Sequence, residues 1–367
     1  MRSFNLTKLS LILSLVAISS ASADYSGSDT TKKETAASKT EKNQMQAGYD
    51  ASCRIAIDRS YDFFISGSFT YWRPSQDNMA LGAVSDNSGD LDLVNAKIKN
   101  LDFDYKPGFK VGIGMNFDYD EWDSFIQYTW FRGTEHASKD LDSDDPSTVL
   151  LPAWQSPSFL NPQYNSGSEK WTLNLDLLDW DLARSYHVGK RLCFRSFLGL
   201  RAAWIHQKVH VEYVNKNLAM AAIWPSTEVS QKADSWAIGP RMGLSSNWDL
   251  TGGWRLFGDV EFDILCTHYD LESTQTSDVS TPNRYLVDDD DANYLRMHTE
   301  LNFGFGWGTY FCSNKYYIDL SAGYGFQVFF DQNMFLSTVS NTAFGKNIAP
   351  NGNLYMQGLT ASLRFDF

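Results

Sequence analysis

Single charged residues recur at alternate positions along several apolar segments, and they are the side chains best suited to transport chemistry. In a channel they would form a mixed-charge constriction that holds a solute's path open and biases the passage of ions. The same side chains can instead pair with one another and fill a narrow interior. Their signs are too balanced to predict selectivity for anions or cations. The predicted pore-lining residues are Lys110, Asp123, Asp179, Asp181, Arg195, Arg201, Arg241, Arg255, Asp259, Glu261, Asp263, Arg296, Glu300, Asp319 and Arg364.

Histidine and carboxylate residues form a second candidate set, close to the ends of predicted strands. A histidine beside a carboxylate can act as a general base. No nucleophile motif of the GxSxG type accompanies them. We therefore predict that the protein is not an enzyme, and outer-membrane proteolysis or lipid modification stays a minor alternative. The set consists of His206, His210, Glu212, His268 and Asp270.

Four cysteines, Cys53, Cys193, Cys266 and Cys312, are candidates for disulfide formation. An exported chain meets an oxidising compartment in which disulfides persist. Four cysteines allow three intramolecular pairings, and the sequence does not choose among them. The cysteines show no CxxC or Cys/His spacing, which argues against structural zinc.

Three runs of acidic residues, Asp86–Asp92, Asp140–Asp145 and Asp288–Asp291, could offer carboxylates to Ca²⁺. None has the spacing of an EF-hand loop, so we interpret them as solvated loops. The sequence implies no cofactor and no metal site.

The segments that carry these candidate residues alternate apolar with polar or small residues, a pattern with a period of two. Phe109, Val111 and Ile113 alternate with Lys110 and Gly112, and similar alternation recurs along the chain. A period of two over ten or more residues indicates β-strands and not helices. The second face is rich in Gly, Ser and Asn with single charges, which fits a narrow barrel interior in which small residues make room for water.

The connections between strands alternate between very short and very long. The short ones are 118–121, 187–191, 247–253 and 312–315, and the long ones are about 74–104, 134–168, 214–230, 270–293 and 331–352. Short periplasmic turns and long extracellular loops are the rule for outer-membrane barrels. We predict an all-β fold, a transmembrane antiparallel β-barrel of about ten strands. These strands cover roughly 61–73, 105–118, 122–133, 169–187, 191–213, 231–247, 253–269, 294–312, 315–330 and 353–367.

The N-terminal region resembles an export signal. Arg2 and Lys8 precede an apolar core over Leu9–Ile18, and Ala21-Ser22-Ala23 supplies a cleavage site. Residues 24–60 begin with a polar stretch that cannot bury enough apolar surface to fold. We therefore predict a signal peptide at 1–23, a disordered periplasmic tail at 24–60 and the barrel at 61–367.

Composition supports a barrel and excludes one class of partner. Aromatic residues make up 15% of the chain, yet charged residues are only 20% and the mean hydropathy is −0.35. Many aromatics without long apolar runs suit strands with one apolar and one polar face. A net charge of −13 argues against nucleic-acid binding, which needs a basic surface. Tryptophans near predicted strand ends suit interfacial girdles. They are Trp72, Trp122, Trp171, Trp204, Trp248, Trp254 and Trp307.

The last predicted strand ends Leu363-Arg364-Phe365-Asp366-Phe367, with apolar residues at alternate positions and an aromatic terminus. It looks like the signal that the barrel assembly machinery of the outer membrane reads. We therefore expect an outer membrane location in a Gram-negative bacterium, with outer-membrane lipid and lipopolysaccharide around the barrel.

Several segments resemble the porin-like major outer membrane proteins of Legionella and chlamydia-related bacteria. The carrying motifs include Gly67–Pro74, Pro107–Gly112, Asp120–Asp123, Arg195–Trp204 and Ile238–Arg241, with Ser321–Tyr324 and Gln357–Thr360 near the end. The resemblance implies a pore-forming surface protein. It also implies disulfide-linked envelope partners and, in some members, contact with the host-cell surface, although the long loops here look divergent.

Together these features predict an outer-membrane porin through which small hydrophilic solutes diffuse along a narrow mixed-charge lumen. The alternative is a non-conducting structural or adhesive surface barrel.

Overall fold

The computed structural model describes residues 53–55, 57, 62–86, 95–117, 120–142, 148–154, 164–216, 226–277, 283–335, 337–338, 347–348 and 352–367. The predicted signal peptide and most of the predicted tail lie outside these residues. Within them the regular structure is all β, and no helix is long and apolar enough to cross a membrane.

Ten strands close into an antiparallel barrel, as predicted. Around the barrel the strands follow in the order β1-β15-β12-β11-β10-β9-β8-β7-β5-β4. The ring is closed because β1 pairs with both β4 and β15. The barrel strands are β1 (Phe63–Gln76), β4 (Lys106–Asn116), β5 (Trp122–Asp140), β7 (Ser166–His187), β8 (Leu192–Val214), β9 (Ser226–Asp249), β10 (Trp254–Ser277), β11 (Asn283–Phe311), β12 (Tyr316–Phe329) and β15 (Leu354–Asp366). A small sheet of order β3-β2-β6 comprises β2 (Ala80–Asp86), β3 (Asn95–Asn100) and β6 (Thr148–Pro152), and β13 (Ser337–Thr338) pairs with β14 (Asn347–Ile348).

The outer wall carries an apolar belt bordered by tryptophans. On β8, Leu198 and Leu200 face outward and are exposed, and Trp204 lies beside Trp236 of β9 at the extracellular edge. Trp248 and Trp254 are more than half exposed at the periplasmic edge. Such a belt, about 25 Å tall with aromatic edges, matches the hydrocarbon layer of an outer membrane.

Several strands run well beyond the belt, further than their apolar outer faces predict. β9 begins at Ser226 instead of about 231, and β10 continues to Ser277 instead of about 269. On β8 the pattern reverses above the belt: Lys208 faces outward, whereas Val209 and Val211 face inward and are fully buried. Above the belt the outer face of the strand meets water in place of lipid, and its inner face packs against protein. The apolar residues therefore move from the outer face to the inner face.

A plug of loop segments fills the extracellular end of the barrel. We define the plug as residues 79–86, 95–103, 148–154 and 332–335. Its Leu81 and Leu150 are fully buried and share one apolar core with wall residues such as Leu173 and Val209. Parts of the predicted extracellular loops 74–104, 134–168 and 331–352 therefore fold inward over the lumen.

Two of the predicted girdle tryptophans belong to this interior. Trp72 and Trp171 are 2% and 0% exposed and lie in the plug core, so their assignment to the lipid interface was wrong. Both occur near the end of an apolar stretch. The alternation predicts that each tryptophan shares a strand face with the residues two positions away. It does not predict whether that face meets lipid or the barrel interior.

Small residues on the inner face serve to seat larger side chains, not only to make room for water. A Cβ on Gly112 would lie 2.4 Å from the ring of Phe125, and one on Gly114 would lie 2.1 Å from the ring of Phe64. These glycines let aromatic rings lie flat against the wall, which narrows the lumen.

Candidate functional site

A network of charged side chains crosses the middle of the barrel, and we call it the charge cluster. Antiparallel register brings its members together: Asp179 pairs with Arg201, Arg241 with Asp263, Asp263 with His298, and Glu261 with Glu300. Because all face inward, residues distant in sequence meet at one level. The charge cluster consists of Lys110, Asp179, Asp181, Arg201, Arg241, Glu261, Asp263, His298 and Glu300.

Arg201 is the centre of the charge cluster and is 1% exposed. Its Nε and Nη2 donate to Asp179 Oδ1 and Oδ2 at 2.6 and 2.8 Å, the fork geometry that suits a guanidinium and a carboxylate. Its Nη1 donates to Asp263 Oδ2 at 2.6 Å. This arginine therefore links β8 to β7 and, past β9, to β10.

Arg241 makes a parallel set of contacts one strand further round. Its Nη1 donates to both oxygens of Asp181, at 2.7 and 2.8 Å, and its Nη2 donates to Glu261. The guanidinium carbon also lies 4.9 Å from the centre of the Phe197 ring. A Cβ on Gly199, the register partner of Arg241, would lie 1.9 Å from the Trp180 carbonyl, so this position admits only glycine.

His298 and Lys110 complete the charge cluster. His298 Nδ1 lies 2.5 Å from Asp263 Oδ2, and its ring packs on Phe329 with centroids 4.1 Å apart. Lys110 Nζ donates to Glu300 Oε1 at 3.1 Å. The charge cluster thus contains five carboxylates and three permanent cations. Each cation is paired with a carboxylate and is therefore not available to attract a passing anion.

A second level of ion pairs lies toward the periplasm. Asp123 accepts from Arg195 Nε at 3.1 Å, Asp319 accepts from Arg255 Nη2 at 2.7 Å, and Arg364 pairs with Asp366 of its own strand. Polar cavities of about 260 and 180 Å³ lie between the two levels, and a third of about 380 Å³ lies at the periplasmic mouth. Asp259 lines the space between the levels and accepts from Asn302 at 3.3 Å.

Arg296 lies apart from both levels, although it too faces inward. Its Nε donates to the Tyr269 hydroxyl at 3.3 Å and its Nη2 contacts Met334 Sδ at 3.1 Å. Asp331 lies 3.6 Å from its Nη1. The side chain therefore holds a plug segment against the wall.

Two features of the site escaped the sequence analysis. The first is His298, which shares the inward parity of Arg296 and Glu300 and could have been found from that spacing. The second is the plug, whose residues show no distinctive motif. Only the reversed alternation on the strands above the belt signals that something apolar lies inside.

The cysteines divide into one bonded pair and two free thiols. Cys53 and Cys193 form a disulfide at the periplasmic end, and Cys266 and Cys312 are free and exposed. Arg54, next to Cys53, donates to the Phe117 carbonyl and pairs with Asp62. Cys53 and Arg54, predicted as tail, are therefore held against the barrel mouth.

The histidine and carboxylate candidates stand on the outer wall above the belt, not in the lumen. His206 lies 3.2 Å from Asp234 and His210 lies 3.5 Å from Glu228, with all four side chains about half exposed. His268 contacts Asn293, and Glu212 and Asp270 are exposed. Register places Asp234 of β9 between His206 of β8 and Asp270 of β10, whereas His210 and Glu212 lie further along β8.

Of the acidic runs, the structure describes chiefly Asp140 and Asp142. Lys216 donates to Asp140 at 2.7 Å, and this hydrogen bond lowers the pKa of that carboxyl. Most of the remaining acidic residues lie outside the described side chains. Within the described part of the chain no group of three potential ligands is placed to hold a metal ion.

A closed antiparallel barrel with an apolar belt, aromatic edges and alternating short and long connections defines an outer-membrane β-barrel protein. Residues 56–367 match the family described as Legionella pneumophila major outer membrane protein precursor. The chain belongs to this family and is a protein of the Gram-negative outer membrane, which confirms the resemblance seen in the sequence.

Other comparisons reach only the fold. The outer membrane protease OmpT from Escherichia coli is 10% identical, with 86% of this chain and 100% of that chain covered and a TM-score of 0.44. A major outer membrane protein from Thermus thermophilus is 10% identical, covering 84% and 100%, with a TM-score of 0.29. The P. putida toluene transporter TodX is 8% identical, covering 84% and 90%, with a TM-score of 0.27. No curated protein matches the chain.

Proposed function

We propose that the protein is a porin-like barrel that rests closed, and that small hydrophilic solutes pass only when the plug leaves the extracellular mouth. The observation that carries this proposal is the composition of the barrier. The apolar layer above the charge cluster is completed by loop segments, with Leu81 and Leu150 at 0% exposure, and not by wall strands alone. Loop segments can undock while the barrel keeps its hydrogen bonds.

The periplasmic half of the lumen supports the same proposal. Polar side chains line open cavities up to the charge cluster, as a solute path requires. The charge cluster then forms the second barrier once the plug has moved. Its arginines and carboxylates can exchange their bonds with one another for bonds to water, which an apolar constriction could not do.

The experiment is solute uptake into proteoliposomes, measured by swelling in small sugars. In Leu81→Asp, a charge replaces a fully buried plug side chain, so the plug is expelled and swelling accelerates at least tenfold. Ile98→Asp is the matched control, because Ile98 is in the same small sheet but is 63% exposed. Its swelling rate should equal that of the wild type.

A second candidate is a non-conducting structural or adhesive surface barrel. The near-complete burial of the charge cluster favours it, because Arg201 and Asp263 are 1% and 0% exposed. Swelling that stays at the background rate in Leu81→Asp, with folding confirmed by heat-modifiable migration, would establish this alternative. Neither candidate requires catalysis, and we propose no enzymatic role for the scattered outer-wall histidines.

A further inference from the structure

Glu169 is a buried carboxylate to which the described part of the chain offers no partner, and it lies where the wall meets the plug. It faces inward on β7, is 2% exposed, and neither carboxylate oxygen accepts a hydrogen bond from a described residue. The position is above the membrane belt, since its chain neighbours Ser168 and Lys170 face outward and are exposed among polar residues. A buried carboxylate is expensive unless it is paired, hydrogen-bonded or neutral.

The surroundings of Glu169 are apolar on both sides. Its register partners Ala137 of β5 and Val211 of β8 are 5% and 0% exposed. The plug residue Leu150 packs over Gly167 of the same strand, where a Cβ would lie 2.7 Å from it. Tyr213 of β8 donates a hydrogen bond from its hydroxyl to the Leu81 carbonyl at 2.5 Å, which connects β8 to the plug.

The titratable groups around Glu169 do not neutralise it. Tyr213 and Tyr164 offer hydroxyl groups and no cation, and burial raises the pKa of Tyr213. Glu135, on the neighbouring strand β5, has its own cation, with Lys106 Nζ 3.4 Å from its Oε2. Burial among the described residues raises the pKa of the Glu169 carboxyl to about 8.

We propose that Glu169 makes docking of the plug dependent on pH, so that acid holds the lumen closed and alkali releases the plug. The docked state accommodates the protonated, neutral carboxyl. The ionised carboxylate needs water, which reaches it only when the plug segments around Leu81 and Leu150 separate from β7 and β8.

The direction follows from proton binding. In the released state Glu169 is solvated and ionises near its ordinary pKa of 4.5, whereas in the docked state it holds its proton up to about pH 8. Between these values the docked state binds one more proton, so docking weakens as pH rises. The ratio of released to docked plug should rise about tenfold per pH unit, by roughly 3,000-fold in all, and level off on either side.

The test is amide hydrogen exchange of the plug strand β2 in the full-length protein in bilayers, from pH 5 to pH 9. Rates are corrected for the intrinsic effect of pH on exchange. The wild type should lose protection about tenfold per pH unit up to about pH 8. In Glu169→Gln the protection of β2 should not change with pH. If the glutamine variant folds poorly, the apolar variant Glu169→Met replaces it, with the same expected result. Glu212→Gln is the matched control, an exposed acid at similar height on β8, and should behave as the wild type.

An equal pH slope in the wild type and in both Glu169 variants would overturn the proposal, as would pH-independent protection in the wild type. The inference rests on the proposed function only for its consequence, the opening of a solute path. Conductance recorded in parallel separates the two: a Glu169-dependent slope without conductance at any pH would support the switch and reject the porin.

Discussion

Arg201 of β8 and Asp179 of the adjacent strand β7 form a bidentate ion pair inside the barrel, with N–O distances of 2.6 and 2.8 Å. Both side chains are almost fully buried, and Arg201 also reaches Asp263 on β10, two strands further round the barrel. A buried pair of this kind contributes little compared with a well-packed apolar pair, but breaking it is costly. The charge cluster is therefore an interdependent set of bonds across the lumen.

The first prediction concerns stability. Arg201→Met should lower the free energy of unfolding by about 3–5 kcal/mol, because the buried Asp179 and Asp263 lose the guanidinium that donates to both and keep only Arg241, 3.8 Å from each. Urea titration in lipid vesicles, followed by tryptophan fluorescence, measures the change. Arg184→Met is the control, because the Arg184–Asp120 pair is partly exposed, and its cost should be about 0–1 kcal/mol. Equal losses in the two variants would contradict a tightly bonded centre.

The second prediction uses two glycines on neighbouring strands. Gly112→Val should destabilise the barrel by about 1–3 kcal/mol, because a side chain there meets the Phe125 ring inside the narrowed lumen. Gly67→Val adds the same atoms on the lipid face of β1, where no described atom lies within 4 Å, and should change stability by less than about 0.5 kcal/mol. The same urea titration compares them, and a Gly112 variant as stable as the wild type would argue against close interior packing.

The third prediction concerns the cysteines. Alkylation of the unfolded but unreduced protein, followed by peptide mass spectrometry, should modify Cys266 and Cys312 and leave Cys53 and Cys193 joined. After reduction, all four should be modified. Modification of Cys193 before reduction would contradict the observed pairing.

The fourth prediction addresses how the plug is held. Tyr213→Phe removes the hydroxyl that donates to the Leu81 carbonyl but keeps the ring in place. Plug docking should weaken by about 0.5–1.5 kcal/mol, because the buried carbonyl loses its shorter hydrogen bond and keeps only the one from Ala153 N–H at 3.4 Å. Hydrogen exchange of β2 should accelerate accordingly, while exchange of the wall strand β12 serves as the internal control and should not change.

Much of the barrel could be predicted from the sequence because period two and loop length are local signals. Trp122 and Leu363, for example, lie on strands close to those expected. Parity also predicts that Lys110, Arg201 and Glu300 share the inner face. What parity cannot give is the register around the ring, and therefore which of these charges meet.

The plug could not be predicted for a different physical reason. Leu81 and Leu150 occur in segments between barrel strands, where the sequence shows only a long connection. Their burial depends on contacts with Val209, Leu173 and other wall residues that are distant along the chain. The same holds for Trp72 and Trp171, because an aromatic residue near a strand end suits a lipid interface and a buried core equally well.

The measurement that tests the central claim most directly is single-channel conductance in a planar bilayer. The wild type should be silent at neutral pH apart from brief openings. A variant in which residues 80–100 are replaced by a short Gly/Ser turn should show long-lived conductance steps, because the plug has lost β2 and β3. Steady conductance of equal size in both proteins would contradict a barrel that rests closed, and so would silence in the shortened variant.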